Sequence, residues 1–359
     1  MKGSFKKATA LFLALCSITA LMSGCNGSKG NSASGSSGSS YKELTVYTAL
    51  PDTEYPTYIN AFQKETGIKV NCVRLSAGEI VARVETEKGN PQASVIYGGS
   101  SDNMIALEKD GLLEKYKSPN LGTIPDKYQD KNDCWTPFYI GCIAIVCNTD
   151  YFAKHKLAYP TSWQDLLKPE YKGQISSAHP STSGTAYTFL ATLVQLMGED
   201  KAFAYLKQFT ANVRQYTKAG AAPDMQVGLG EAAVGISFSH DALATAKQGY
   251  KLKLCFPSEG TGYEVGALAI IKGSSSKERS NAQKFIDWSI SKSGQSLFEK
   301  SGAYRLPLNK DATPPKGAVK ITSVKCINYD ATWAGNNRTS LINKFTQQID
   351  NGKNLYTGS

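Results

Sequence analysis

The chain has 359 residues and a formal charge of +10, with 41% hydrophobic and 19% charged residues. Its basic residues are scattered rather than gathered in runs of five or six, and this pattern argues against nucleic-acid binding. The length exceeds that of one typical domain and leaves room for two.

The first 24 residues have the layout of an export signal. Three lysines precede the apolar stretch 8–22, which is too short to cross a bilayer comfortably, and small residues lead from it to Cys25. This order predicts a bacterial lipoprotein signal peptide over residues 1–24 and lipidation of Cys25, with a plain secretory signal as the alternative. Removal of the signal would leave 37 basic and 30 acidic residues, a formal charge of +7.

Residues 26–40 are almost wholly Ser, Gly and Asn. Such a composition buries no apolar surface and behaves as flexible coil. Residues 25–40 are therefore interpreted as a lipidated cysteine followed by a tether. The folded part is expected outside the cytoplasmic membrane, at the cell surface or in the periplasm.

The first folded segment alternates apolar runs of strand length with stretches of helical periodicity. This alternation is typical of an α/β protein with a mostly parallel sheet, which binds ligands at the carboxyl ends of its strands. Gly67 is expected to end the first helix. Strands are predicted at 44–48, 68–75 and 93–97, and helices at 55–66 and 78–88.

Two long apolar runs divide the rest of the chain. Residues 139–148 predict a strand that crosses into a second α/β unit, and residues 263–271 predict a strand that returns. Two crossings predict a two-strand hinge between two α/β lobes. The final helix, around 340–349, is expected to pack on the first lobe. The predicted domains are lobe 1 at 41–140 plus 270–359 and lobe 2 at 141–269.

The cysteines and histidines give little support to metal or catalytic chemistry. No CxxC pair occurs, so no metal site is expected, and no HExxH, P-loop or GxSxG motif predicts an enzyme. An even count of remaining cysteines permits disulfides outside the cell without requiring them. These cysteines are Cys72, Cys134, Cys142, Cys147, Cys255 and Cys326.

A Ser- and Thr-rich turn precedes the helical segment 186–197 and predicts an anion site. Hydroxyls and backbone N–H groups at the positive end of a helix suit an oxyanion, although an ordinary helix cap is the alternative. Two other strand-to-helix turns offer similar groups. The candidate residues of the first turn are Ser181, Thr182, Ser183, Gly184 and Thr185. Those of the other turns are Ser76, Gly78, Gly99 and Ser100.

His240 and Asp241 follow the apolar run 234–238, and Glu264 follows after a loop. One switchable donor and two carboxylates are the groups needed to hold sugar hydroxyls or an amine. A histidine with a purely structural role is the alternative. We expect the two carboxylates to lie across the cleft from the Ser- and Thr-rich turn, because carboxylates repel a phosphate.

The mature sequence resembles the extracellular solute-binding lipoproteins of ABC importers, in the branch that contains ferric-iron, phosphonate and sugar-phosphate binders. The resemblance rests on the stretches 44–49, 76–79, 97–102, 181–187, 239–241 and 260–266. It implies a periplasmic-binding-protein-like fold, a ligand cleft that includes Thr48, ABC permease subunits as partners, a monomer and no cofactor.

The resemblance also bears on the ligand. Ferric-iron carriers of the branch present adjacent tyrosines where this chain has His240 and Asp241, whereas sugar-phosphate binders resemble it in a His-Asp pair and a downstream Glu. A sugar phosphate is therefore the expected solute. The alternatives are a phosphonate such as an aminoalkylphosphonate, then ferric iron or a polyamine. An extracytoplasmic hydrolase and a structural lipoprotein are the alternatives outside transport.

Overall fold

The structure is a computed structural model that describes residues 41–350. The predictions for the signal peptide, Cys25 and the tether lie outside these residues. Within them, no helix is both long and apolar enough to span a membrane. The six cysteines of this part of the chain are free thiols.

One eleven-stranded sheet runs through the described residues. Eight of its strands follow the order β2-β1-β3-β10-β5-β8-β6-β7, and the three others are short and pair with β10 or β5. Its strands are β1 Glu43–Thr48, β2 Lys69–Arg74, β3 Val95–Ser100, β4 Leu113–Glu114, β5 Thr136–Asn148, β6 Ile175–Ala178, β7 Val213–Thr217, β8 Val234–Phe238, β9 Leu252–Cys255, β10 Tyr263–Ile271 and β11 Leu306–Pro307. Its helices are α1 Tyr55–Thr66, α2 Ala77–Thr86, α3 Ser101–Lys109, α4 Thr149–His155, α5 Gly184–Met197, α6 Glu199–Asn212, α7 Ala222–Gly228, α8 Ser239–Lys247, α9 Arg279–Ser289, α10 Lys292–Gln295 and α11 Ala331–Phe345.

The first lobe follows the predicted pattern of strands and helices. β1 pairs in parallel with β2 and β3, and each of these strands leads into a helix. α1 buries Tyr58 and Phe62 and ends where predicted, at Gly67, whose φ of 69° lies in the left-handed region that glycine adopts without steric cost. Gly99 and Ser100, which were predicted in a turn, instead form the end of β3.

β5 is the strand that links the lobes in the sheet. Its first half, up to Cys142, pairs with β10, and from Ile143 onward it pairs with β8 and β9. All of β5 is buried, as its continuous apolar sequence predicts for a strand covered on both faces. The prediction of two α/β lobes joined through two long strands is confirmed.

The final helix corrects one prediction. Leu341, Phe345 and Ile349 are buried in the core of the second lobe, not the first. The earlier part of α11 contacts the first lobe, where Gly335 packs against Ile105 of α3. The apolar spacing of four residues shows which face of the helix is buried, but it does not specify the lobe. The chain therefore passes between the two cores once more, downstream of β10.

Candidate functional site

A cleft of about 480 Å³, part of it open to solvent, lies between the two lobes. It lies where β1, β2 and β3 end, as expected for a parallel sheet. Many sequence-predicted residues line it: Ser76, Gly99, Ser100, Ser183, Gly184, Thr185, Asp241 and Glu264. The cleft therefore brings together candidates that are up to 188 positions apart in the sequence.

Five helices begin at the cleft, and three of them meet there: α2 and α3 from the first lobe and α5 from the second. They meet closely, since a Cβ atom on Gly184 would lie 3.1 Å from the Cβ of Ala77 and 3.4 Å from the Oγ of Ser100. The first N–H groups of a helix have no acceptor within it, and the helix dipole makes that end positive. Three such ends directed at one space offer N–H donors and positive partial charge, the combination that favours an anion.

The serine hydroxyls at these helix starts have structural roles. Ser183 accepts a hydrogen bond from the backbone N–H of Ala186 at 3.2 Å, so it is also an ordinary helix cap. The Ser76 hydroxyl donates to Glu79 at 2.7 Å, and that of Ser100 donates to Asp102 at 2.7 Å. These bonds fix the helix ends, and the backbone amides are the groups best placed for an anion.

Several predicted residues do not line the cleft. The Thr48 hydroxyl donates to the carbonyl of Tyr97 at 2.9 Å and holds a turn. The Ser181 hydroxyl lies 2.7 Å from Nδ1 of His179, and that of Thr182 donates to the carbonyl of Lys218 at 2.9 Å. These contacts hold the turn before α5 in place from the side that does not line the cleft.

Gly78 lies at a contact between the lobes. Its backbone N–H donates to the carbonyl of Thr182 at 2.9 Å, and next to it Glu79 forms an ion pair with Lys218. A Cβ atom on Gly78 would lie 2.7 Å from the Thr182 carbonyl, closer than real Cβ contacts allow. Only glycine therefore lets the two backbones approach this closely.

Arg305 organises the other side of the cleft, and the sequence analysis missed it. Its Nε donates to Glu54 at 3.0 Å and its Nη2 donates to Asp241 at 3.1 Å, while its Nη1 contacts Nε2 of His240. The guanidinium also lies over the ring of Tyr139, 4.5 Å from its centre. Because Arg305 is only 3% exposed, these groups form one buried charge cluster.

The cluster favours a neutral His240. A guanidinium can only donate, so Nε2 of a neutral His240 accepts from Arg305 and Nδ1 carries the proton. Burial, assisted by the charge of Arg305, holds the pKa of His240 well below its usual range. Within residues 41–350, Nδ1 is buried without a hydrogen-bond partner and lies beside Gly141. His240, which was predicted as a ligand donor, is not among the residues that line the cleft in this arrangement.

Asp241 and Glu264 do face the cleft, on its Arg305 side. Burial raises the pKa of Glu264 to about 8, although Arg305 opposes the rise. Burial raises the pKa of Asp241 as well, and Arg305 again opposes it. The raised pKa favours the protonated acid of Glu264 at neutral pH, which can donate a hydrogen bond, beside a carboxyl that can accept one.

Further residues of the cleft wall escaped the sequence analysis, among them Arg74, Tyr139 and Gly220. The buried acids of the site require a cation, so a basic partner could have been anticipated. Nothing in the sequence singles out Arg74 or Arg305 among the many basic residues.

A group that could ligate a metal lies away from the cleft. Potential ligand atoms of Glu108, Asp130 and Cys134 lie within 4.8 Å of one another. Both carboxylates already have structural partners, since Glu108 accepts from Asn132 at 2.6 Å and Asp130 accepts the Cys134 N–H at 2.7 Å. These bonds fasten the loop before β5 to α3.

Comparison with known proteins places the fold and the cleft in context. The solved structure of the periplasmic binding protein AfuA from Actinobacillus pleuropneumoniae, with exogenous fructose-6-phosphate bound, is 38% identical in sequence. The two structures superpose with a TM-score of 0.83, over 86% of this chain and 98% of the AfuA chain. An uncharacterized protein of Haemophilus influenzae is 37% identical over 314 residues, 85% of this chain and 90% of the relative.

A third relative is the putative 2-aminoethylphosphonate-binding periplasmic protein of Salmonella typhimurium. It is 28% identical over 269 residues, which are 72% of this chain and 75% of the relative. Residues 90–331 match the family described as bacterial extracellular solute-binding protein. The chain belongs to this family and is the extracytoplasmic substrate-binding component of an ABC importer.

Proposed function

We propose that the protein captures a small phosphorylated solute, first of all a sugar phosphate, and delivers it to its permease. The main support for this proposal is that three helix N-termini, contributed by both lobes, meet at one cleft. A phosphoryl group fits there because backbone amides and helix dipoles favour an anion. The fructose-6-phosphate bound in the AfuA structure supports the same class of ligand.

The sugar part of the ligand then lies at the opposite wall of the cleft, beside Asp241 and Glu264. Asp241 accepts from hydroxyl groups, and the protonated Glu264 can donate as well as accept. A neutral polyol pairs with both kinds of group, whereas a second phosphoryl would meet the Asp241 carboxylate. The ligand is therefore charged at one end and hydroxylated at the other.

A phosphonate with an amino group is the second candidate. The name of the Salmonella typhimurium relative favours it, and an ammonium group would pair with Asp241. Ferric iron has weaker support, because Tyr139 lies beneath Arg305, where a phenolate would already have a cationic partner. Sugar phosphates and aminoalkylphosphonates should be compared directly in a binding screen.

One experiment separates a carrier from an enzyme. The purified protein is incubated with fructose 6-phosphate while free phosphate and thermal unfolding are followed. A carrier raises the unfolding temperature without releasing phosphate, and a ligand at 100 times its Kd stabilises by about 2.7 kcal/mol. Steady release of phosphate would make the protein a hydrolase, and no change in either signal would reject this solute.

We also propose that the folded part is a monomer held at the membrane by a lipid on Cys25. The motivation is the order of basic, apolar and small residues before that cysteine. Cys25→Ala should move the expressed protein from the detergent phase to the aqueous phase of a Triton X-114 separation. Identical partitioning of the natural protein and the variant would contradict the anchor.

Glu264 should make the stability of the unliganded protein depend on pH. The carboxyl ordinarily ionises near pH 4.5 and in the folded protein at about 8. Between these values the folded state keeps a proton that the unfolded chain has lost, so the free energy of unfolding falls as the pH rises. Glu264→Gln cannot ionise, so we expect it to match the natural protein at pH 4.5 and to melt at a higher temperature at pH 8.5. Parallel melting curves across this range would contradict the assignment.

A further inference from the structure

Arg74 is the last residue of β2 and lines the cleft. Its Nε is buried, and within residues 41–350 it has no hydrogen-bond partner; no ion pair in that part of the chain involves Arg74 either. A guanidinium carries five N–H donors in a planar fork and no acceptor. The Arg74 guanidinium is therefore free to donate hydrogen bonds to a solute in the cleft.

The second guanidinium of the cleft is not free in this way. Arg305 donates to Glu54 and Asp241 and contacts His240, so its donors are directed at protein groups. Burial raises the pKa of Asp241, and Arg305 and then Arg74 oppose that rise. Arg74 is thus the uncommitted cation, within electrostatic range of the wall that is proposed to hold the sugar.

The position of Arg74 in the sequence decides which end of the ligand it meets. Only Leu75 separates it from Ser76, the N-cap of α2, and α2 supplies one of the three helix starts at the anion site. The fork of an arginine matches two oxygens of a phosphoryl group, and such charge-assisted bonds are stronger than neutral ones. The helix N-termini supply only partial positive charges, and the Arg74 guanidinium adds a full positive charge.

We propose that Arg74 grips the phosphoryl group of the solute and sets its position in the cleft. This inference rests on the proposed function, and it assigns the phosphoryl contact to Arg74 and the amides instead of to the capping hydroxyls. Asp241 then acts on the sugar alone. The two residues should therefore affect different parts of the ligand.

Inorganic phosphate and fructose 6-phosphate test this division because they share only the phosphoryl group. Calorimetry is run on the natural protein and on Arg74→Gln, Arg74→Lys and Asp241→Asn. Arg74→Gln should weaken both ligands by the same factor, roughly 10- to 100-fold for a lost charge-assisted bond. Arg74→Lys should recover part of the loss, and Asp241→Asn should weaken fructose 6-phosphate alone. Arg214→Gln, which changes an exposed arginine of β7, is the matched control and should leave both affinities unchanged.

Two outcomes overturn the role of Arg74. If Arg74→Gln weakens fructose 6-phosphate but not inorganic phosphate, Arg74 contacts the sugar. If it weakens neither, Arg74 is not a ligand contact. A natural protein that binds neither ligand would instead reject the proposed function, and the role of Arg74 with it. The unfolding temperature of each variant should equal that of the natural protein. Equal temperatures show that a loss of affinity does not come from a loss of the folded state.

Discussion

Replacing Arg305 with methionine should lower the free energy of unfolding by about 3 to 5 kcal/mol, the usual cost of removing one partner from a buried ion pair. Glu54 is 2% exposed and Asp241 is 8% exposed, so neither carboxyl can recover its lost partner from bulk water. Chemical denaturation at pH 7.5 measures the change. Since Arg305 joins groups of both lobes, the variant should also lose affinity for fructose 6-phosphate.

A matched surface variant controls for the loss of an arginine as such. Arg279 pairs with Glu114 but its side chain is 61% exposed, so Arg279→Met should cost at most about 1 kcal/mol. Adding Glu54→Gln to Arg305→Met should restore part of the stability, because it removes one of the unpaired acids. Equal stabilities for Arg305→Met and Arg279→Met would show that the cluster does not hold the fold together.

Gly78→Ala should weaken fructose 6-phosphate binding by about 10-fold or more while leaving the unfolding temperature nearly unchanged. The added Cβ would lie 2.7 Å from the Thr182 carbonyl, and that backbone contact joins opposite lobes. Every 1.4 kcal/mol of strain in the closed form costs a factor of ten in affinity. In the open form the strain is absent, so the fold itself should tolerate alanine in the first turn of α2.

Gly122→Ala is the control for this variant, since among the described residues a Cβ at that position would meet no atom within 4 Å beyond its chain neighbours. X-ray scattering with saturating fructose 6-phosphate should give a smaller radius of gyration for the Gly122 variant than for the Gly78 variant. If both variants bind and compact alike, the contact between Gly78 and Thr182 does not limit closure.

Much of the fold could be predicted because it depends on local patterns. The end of α1 at Gly67 follows from backbone sterics at one residue, and the burial of β5 follows from its continuous apolar sequence. The turn before α5 was recognised from its Ser and Thr content. Each of these signals is contained in a short stretch of sequence.

The parts that could not be predicted depend on distant partners. Arg305 meets Glu54 across 251 positions and Asp241 across 64, and no local pattern links them. The same cluster turns Nε2 of His240 toward Arg305, a partner that no local pattern in the sequence indicates. Likewise, the periodicity of α11 shows a buried face, but the core that receives Phe345 depends on the path of the chain.

Calorimetry on the natural protein with fructose 6-phosphate and with inorganic phosphate tests the central claim most directly. Inorganic phosphate fills the anion site but leaves Asp241 and Glu264 without ligand hydroxyls, and an unpaired buried polar group costs about 1 to 3 kcal/mol. We therefore expect fructose 6-phosphate to bind at least about 10-fold more tightly. Equal affinities for the two ligands would contradict a cleft built for a phosphorylated sugar.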